Sequence, residues 1–471
     1  MNRTLLKWIL ALLLVILALS LCCVFLLRDR GEADARLVFV EREPVDIENL
    51  TIANSFGAYQ VFRDGDGYTV ADMPPEIVDT EGFYELMYHA CAFGALKCVD
   101  EAPEDLSLFG LDDPAAIVRS VFSDGESITI RLGDKERVSG NYYGMVDGRD
   151  GVYLFAEEDV IYFLVRKETY ISLQITPELA VSSPLSAIRD ITFSGTMLEK
   201  PITIEAVMGA DETIRLESLS FGAPTHLVRL KGVYELDQTY GVEILGSVLG
   251  LKARDVLLYN ASDADLRRLG FDEPLMKVAF GLKNGTDYIA DFELSVVQAG
   301  ESYLAATRGT GLVFLIDRPA FLDIDYTKLC LRWFLMPLRK DLRDLTVRFG
   351  EESYTFVSYT DDRGENHASV NGQEMDIRQF YAFYRLVTGA SSDGLYLEDA
   401  SAEGEPLMTI TYRYLDGAKA PDVMTLYPGS TRRVNVDVNG VMEFDMRASF
   451  TEAVTNACRN AVSGETIDEN W

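Results

Sequence analysis

The sequence predicts an α+β fold: tandem modules of mainly antiparallel sheet with one or two packed helices, behind a single N-terminal transmembrane helix. Three observations predict it. A strand–hairpin–helix–strand pattern starts at Pro44 and restarts near Pro184 and Pro337. Asp-Gly and Asn-Gly turns separate alternating apolar strands, which makes neighbouring strands antiparallel. Residues 8–27 form an unbroken run without charge.

Repetition sets the domain count before any motif does. The 471 residues allow three domains at about 150 residues each. The expected boundaries are 1–30 for a cytoplasmic tail and anchor, 31–180 and 181–336 for two full modules, 337–460 for a degenerate third, and 461–471 for a loose tail.

At 1.5 Å per residue, the run from Trp8 to Leu27 reaches about 30 Å, enough to cross a bilayer core. The rivals are a cleaved signal peptide and a lipoprotein signal at Cys22. Apolar residues continue too far past Ala18-Leu19-Ser20 for the first, and Leu21 stands where the second needs a small residue. An uncleaved anchor fits best, with the lipid bilayer as the partner of residues 8–27. Arginines after the span favour keeping the large domain inside. The short basic tail and apolar run favour export, and an extracytoplasmic domain at the cell membrane is expected.

Lys and Arg number 43 against 75 Asp and Glu, a net charge of −32. The first 30 residues hold four bases and one acid, so the rest carries −35. Such a body repels nucleic acid and stays soluble at a cell surface; a cationic partner or divalent ions are the sharper reading. Of six cysteines, Cys22 and Cys23 lie in the apolar run; Cys91, Cys98, Cys330 and Cys458 show no zinc spacing and read as free thiols.

Each module opens with a proline and an alternating strand: Pro44 to Ile52, Pro184 to Phe193, Pro337 to Val347. Hairpins follow at Arg63-Asp-Gly-Asp-Gly, Gly209-Ala-Asp-Glu and Asp361-Asp-Arg-Gly. Helices come next, with Phe83, Leu86, Met87 and Ala90 on one face of the first and Phe380, Phe383 and Val387 on one face of the third. Gly94, Gly250 and Gly389 are expected to stop these helices. The most specific local signal is then Pro103-Glu-Asp-Leu-Ser-Leu-Phe-Gly110-Leu-Asp-Asp-Pro114, repeated as Ser262 to Pro274. Gly110 and Gly270 should take the left-handed position after a short helix, Leu111 and Phe271 should fold back, and Pro114 and Pro274 should launch the next strand. The third module keeps the remnant Glu403-Gly-Glu-Pro406.

A Leu-x-x-x-Gly-Leu-Asp-x-Pro step, an Asp-Gly hairpin, Gly133-Asp134 and the Tyr142-Tyr143 strand resemble the bacterial DUF4340 family. The resemblance covers residues 44–330 and thins over 337–460. It implies one N-terminal span and an envelope protein found beside ABC-transport components of the gliding-motility type. It supplies no catalytic residues.

The search for chemistry returns structural readings. His89, His226 and His367 lie in separate elements. Asp64-Gly-Asp-Gly suggests a calcium loop, but the twelfth position is Pro75, so a hairpin turn is expected. Asp112-Asp113 and Asp272-Glu273 recur before proline and read as turn or cap residues rather than paired catalytic acids. Tyr142 and Tyr143 read as half-buried sheet residues before a binding platform. The stretch Leu329 to Leu338 is the most apolar outside the anchor. It is expected to pack between modules or to offer a partner surface through Leu329, Leu331, Trp333, Phe334, Leu335 and Met336. The expectation is a non-enzymatic, membrane-anchored extracytoplasmic accessory protein associated with an ABC transporter, with no catalytic residue, cofactor or metal. The alternatives are a binding module for a wall polymer or peptide, and a surface hydrolase.

Overall fold

The computed structural model describes residues 36–65, 67–179, 183–208, 224–394, 396–397, 400–402 and 404–471. The apolar run 8–27, Cys22, the Gly209 turn and Glu403 lie outside the described residues. No helix among the described residues is long and apolar enough to cross a membrane. The described chain is sheet-rich, with four antiparallel sheets and few helices. It divides into one compact unit ending at Leu173 and another spanning Gln174–Trp471.

In the first unit the strands are β1 (Leu37–Glu41), β2 (Ile47–Asn54), β3 (Gly57–Asp64), β4 (Gly67–Val70), β5 (Ala92–Ala95), β6 (Lys97–Asp100), β7 (Ala116–Phe122), β8 (Ser127–Lys135), β9 (Tyr142–Val146) and β10 (Val152–Phe155). Eight of them form one sheet in the order β4-β3-β2-β7-β8-β9-β10-β6. Helix α1 (Thr80–Cys91) connects β4 at one edge with β6 at the other. A connection between opposite edges must cross a face of the sheet, so the helix buries Phe83, Leu86, Met87 and Ala90 there. Asp79 caps it, accepting from the Glu81 amide at 3.1 Å. The buried Ser120 hydroxyl donates to Ala90 O at 2.7 Å and ties the helix end to β7.

Gly94 does not stop this helix. The helix ends at Cys91 because residues 92–95 turn extended and pair with β1. Gly94 sits opposite Val38 in that small sheet.

The second unit holds two large sheets. The first uses β11 (Ile188–Ser194), β12 (Ile202–Ala206), β13 (His226–Arg229), β14 (Val233–Glu235), β15 (Asp255–Leu258), β16 (Met276–Asn284), β17 (Asp287–Ala299), β18 (Ser302–Thr307) and β19 (Val313–Ile316). Its order is β14-β13-β12-β11-β16-β17-β18-β19-β15. Helix α2 (Gln238–Gly246) leads from the β14 edge to the β15 edge, and the short α3 (Asp263–Arg268) follows. The second sheet uses β20 (Leu342–Phe349), β21 (Glu352–Thr360), β22 (Asn366–Val370), β23 (Gln373–Met375), β24 (Met408–Tyr414), β25 (Asp422–Pro428), β26 (Arg433–Val438) and β27 (Val441–Arg447), in the order β23-β22-β21-β20-β24-β25-β26-β27. Helix α4 (Ile377–Thr388) lies on it through Phe380, Phe383, Leu386 and Val387, and the Phe383 ring stacks on Phe356 at 3.8 Å. Helix α5 (Ser449–Ser463) closes the chain.

The three large sheets share one wiring. The opening strand (β2, β11 or β20) lies between the following strand and the strand that begins two residues after a proline: Ala116 after Pro114, Met276 after Pro274, Met408 after Pro406. The strand after the helix closes the far edge as β6 or β15. In the last sheet it is reduced, among the described residues, to the single bridge Tyr396–Phe444.

Gly389 ends α4 as expected, in the right-handed conformation (φ −78°) and donating to Arg385 O. Two other expectations need correction here. Gly250 is left-handed (φ +72°), but it lies past the Ser247 cap of α2. The C-terminal residues are not loose. Ile467 is buried and donates its N–H to Gln379 Oε1 at 2.7 Å, and the Trp471 ring meets Phe450 edge-on at 5.3 Å.

Candidate functional site at a sheet junction

Within the second unit, the apolar stretch 329–338 is the seam between the two sheets. On one side Asp237 N–H donates to Leu329 O at 2.7 Å and Leu331 N–H to Glu235 O at 2.8 Å. On the other, Phe334 N–H donates to Ala390 O at 3.1 Å and Ser392 N–H to Arg332 O at 2.7 Å. Leu329, Phe334 and Leu335 are buried, and Leu331, Trp333 and Met336 are half-buried within the unit. Their main chain bonds both neighbours, so an apolar run that reads as a patch acts as a spacer between the two sheets.

Glu443, on β27, pins the seam. It is 1% exposed. Its carboxylate accepts from the amides of Lys231 and Gly232, each at 2.6 Å, and from the hydroxyls of Tyr234 at 2.8 Å and Tyr396 at 3.1 Å. A buried charge is tolerated when hydrogen bonds replace its water, and charge-assisted bonds are the strong ones. Beside it, burial pushes the Cys330 thiol well above its ordinary value, and Glu443 adds to the effect. Cys330 is therefore protonated and no nucleophile.

A second polar cluster joins this strand to Arg433 at the start of β26. Arg433 bonds Asp445 at 2.6 and 3.1 Å and Asp393 at 3.0 Å, and Arg447 also bonds Asp393. Gly394 has no room for a side chain, since a Cβ would lie 1.6 Å from both Arg433 Nη2 and Asp445 Oδ1.

The seam frames an open groove of about 450 Å³. Asp237 caps α2 by accepting from Tyr240 N–H at 3.0 Å, and Asp325 caps the next helical turn by accepting from Thr327 N–H at 2.9 Å. The Tyr240 hydroxyl accepts from Asp325 N–H at 3.0 Å and donates to Asp323 O at 3.1 Å, and burial raises its pKa. Lys328 lies over the Tyr240 ring at 5.7 Å, and Arg332 lies over Trp333 at 4.6 Å. Glu243 and Asp393 add negative charge to the walls. Both signs of charge thus line a groove whose walls are tied by the Asp237 and Asp325 caps and the Tyr240 hydroxyl. Such an arrangement suits recognition of a charged ligand.

The remaining sequence-derived positions stay apart. Gly110 is left-handed (φ +65°) after the turn Leu106–Phe109, and Leu111 N–H reaches back to Leu106 O at 3.1 Å. Gly270 (φ +92°) repeats this, with Phe271 N–H on Leu266 O at 3.0 Å. Asp112, Asp113, Asp272 and Glu273 are exposed, and the caps are Asp105 and Ser262 instead. Tyr143 packs edge-on against Phe109 at 5.1 Å. His89 stacks on Tyr162, His226 is buried on β13, and His367 lies on β22.

Sequence reading missed Glu443 and its donors. The available signal was Glu443 and Asp445 alternating with Met442, Phe444 and Met446 in a strand buried on both faces. It also missed the cluster of Asp361, Glu365 and His367, whose ligand atoms lie within 4.8 Å of one another and could hold a metal ion. Asp361 Oδ1 takes the Glu365 and Arg363 amides at 2.9 Å, and Oδ2 faces His367 Nε2 at 3.2 Å. These contacts hold the Asp361 carboxyl below its usual range, the Glu365 amide most strongly.

Residues 84–205, from inside α1 to inside β12, match the family described as Domain of unknown function (DUF4340). That segment belongs to the DUF4340 family. No curated protein matches the chain. The DUF4340 segment contains the Gly110 step, Gly133-Asp134 and Tyr142-Tyr143, the residues that carry the resemblance. The groove, built from residues 237–394, lies outside the matched DUF4340 segment.

Proposed function

We propose that this chain is a non-enzymatic, membrane-anchored accessory protein of the bacterial envelope that holds a component of an ABC transporter. The anchor in this reading is the uncharged run 8–27, with the large domain extracytoplasmic. The observation that carries the reading is the groove, whose walls are tied before any ligand arrives: the Tyr240 hydroxyl bonds Asp325 N–H and Asp323 O, Asp237 N–H donates to Leu329 O, and Ser392 N–H donates to Arg332 O. Pre-set walls lower the entropic cost of binding. The test is co-purification from detergent-solubilised membranes. Transporter subunits should accompany the wild-type chain and be lost with Lys328→Glu/Arg332→Glu; recovery of none with the wild type counts against the reading. Protease treatment of intact cells checks the orientation.

A second reading is a binding module for a wall polymer or peptide. It is favoured by the mixed charge of the groove, with Glu243 and Asp393 near Lys328 and Arg332. A peptide and glycan array without hits would sink it.

A further inference from the structure

We propose that the first unit carries a separate site for an oxyanion, a phosphate or a carboxylate, held by Arg119 and Arg149. The two side chains line a cleft of about 510 Å³. Arg119 projects from β7, and Arg149 follows the turn after β9, where its N–H donates to Val146 O at 3.0 Å.

The charge arrangement is the argument. Two acids stand on the same wall, Glu126 and Asp147. Each is already occupied by an arginine other than these two: Arg42 binds Glu126 together with Asp124, and Arg131 binds Asp147 at 2.9 Å. The side chains of Arg119 and Arg149 have no hydrogen bond or ion pair among the described residues. The chain has 75 acids for 43 bases, so an arginine left without an acid runs against its composition. Here two share one cleft, whose acids are neutralised by neighbours. Each guanidinium keeps five N–H donors, in a planar fork that matches a carboxylate or phosphate edge.

The neighbouring wall adds donors. Ser127 and Thr129 on β8 line the cleft, and their hydroxyls are likewise uncommitted among the described residues. Phe39 and Val40 of β1 form an apolar flank, room for the carbon skeleton that bears the anion. A body of this net charge repels anions at long range, so the site works at contact distance and is weakened by salt.

The test is calorimetric titration of the full chain in detergent at low ionic strength. Inorganic phosphate and acetate are the separate probes. Saturable binding of either is expected, and the better probe identifies the anion class. Arg119→Ala/Arg149→Ala should weaken it by roughly tenfold or more, while Arg348→Ala/Arg363→Ala, an equal loss of charge elsewhere, should leave it unchanged. Both residues are exposed and their side chains are unbonded among the described residues, so the double variant should melt with the wild type. The proposal is overturned if the wild type shows no saturation with either probe, or if the double variant binds as well as the wild type.

Discussion

Glu443 accepts the backbone N–H of Gly232 at 2.6 Å, joining residues 211 positions apart. The contact seats a turn of one sheet on the last strand of the next. Glu443→Gln keeps the shape but turns an N–H₂ toward existing donors. It should lower the stability of the second unit by about 2–4 kcal/mol. The exposed Glu243→Gln should stay within about 0.5 kcal/mol. Denaturant titration reads both, as a shift in midpoint at constant slope. Equal behaviour of the two variants would remove Glu443 from the seam.

Gly110 and Gly270 have the same left-handed backbone but different surroundings. A Cβ on Gly110 would lie 2.5 Å from Asp134 Cγ and 2.8 Å from its backbone nitrogen, whereas one on Gly270 meets nothing within 4 Å. Gly270→Ala should therefore cost about 1–2 kcal/mol, for the backbone alone. Gly110→Ala should cost about 1–3 kcal/mol more, because backbone must also move. Thermal unfolding of both variants decides it, and equal costs would contradict the geometry.

His226 is 1% exposed, with Nε2 at 3.2 Å from Ile188 O. Burial lowers its pKa, Lys283 lowers it further, and the Ile188 bond opposes them. The unfolded chain takes up this proton near pH 6.5, at about the ordinary histidine value. Between the folded and unfolded pKa values the unfolded state binds more protons, so stability rises with pH. The contribution is full above about pH 6.5 and is lost as pH falls toward the folded value. Replacing the ring in His226→Gln should flatten the stability–pH slope between about pH 7 and 5. An unchanged slope would place the dependence elsewhere.

Trp471 closes the chain against Phe450, with Arg447 over its ring at 5.3 Å. Trp471→Ala should cost about 1–3 kcal/mol, the usual value for a large side chain that is mostly covered. Loss of its fluorescence, against the two other tryptophans, reports the same docking. A neutral substitution would return the last residues to a loose tail.

Much of the strand and turn pattern was legible because it depends on close neighbours. Asp79 and Ser262 cap their helices through residues within three positions, and the Gly110 and Gly270 steps close through residues within five. The failures share a cause. Gly94 follows an amphipathic stripe that points to a longer helix, but pairing with Leu37–Glu41, more than fifty residues earlier, pulled the chain extended. The Asp416-Gly417 pair does not form a tight two-residue hairpin, because the strands end at Tyr414 and resume at Asp422 around an Asp416 turn.

By itself, then, the sequence determined the alternation of strands, the antiparallel wiring through short turns, the helix starts and the excess of acids over bases. Each is set by spacing or by count. Tertiary structure alone decided that residues 329–338 form a buried seam, that Glu443 meets Lys231, Gly232, Tyr234 and Tyr396, and that Arg119 and Arg149 share a cleft without acids of their own. The physical reason is range. Backbone propensity and hydrophobic period act over a few residues, whereas the partner of a buried charge is chosen by which distant segments the packed sheets bring within hydrogen-bond reach.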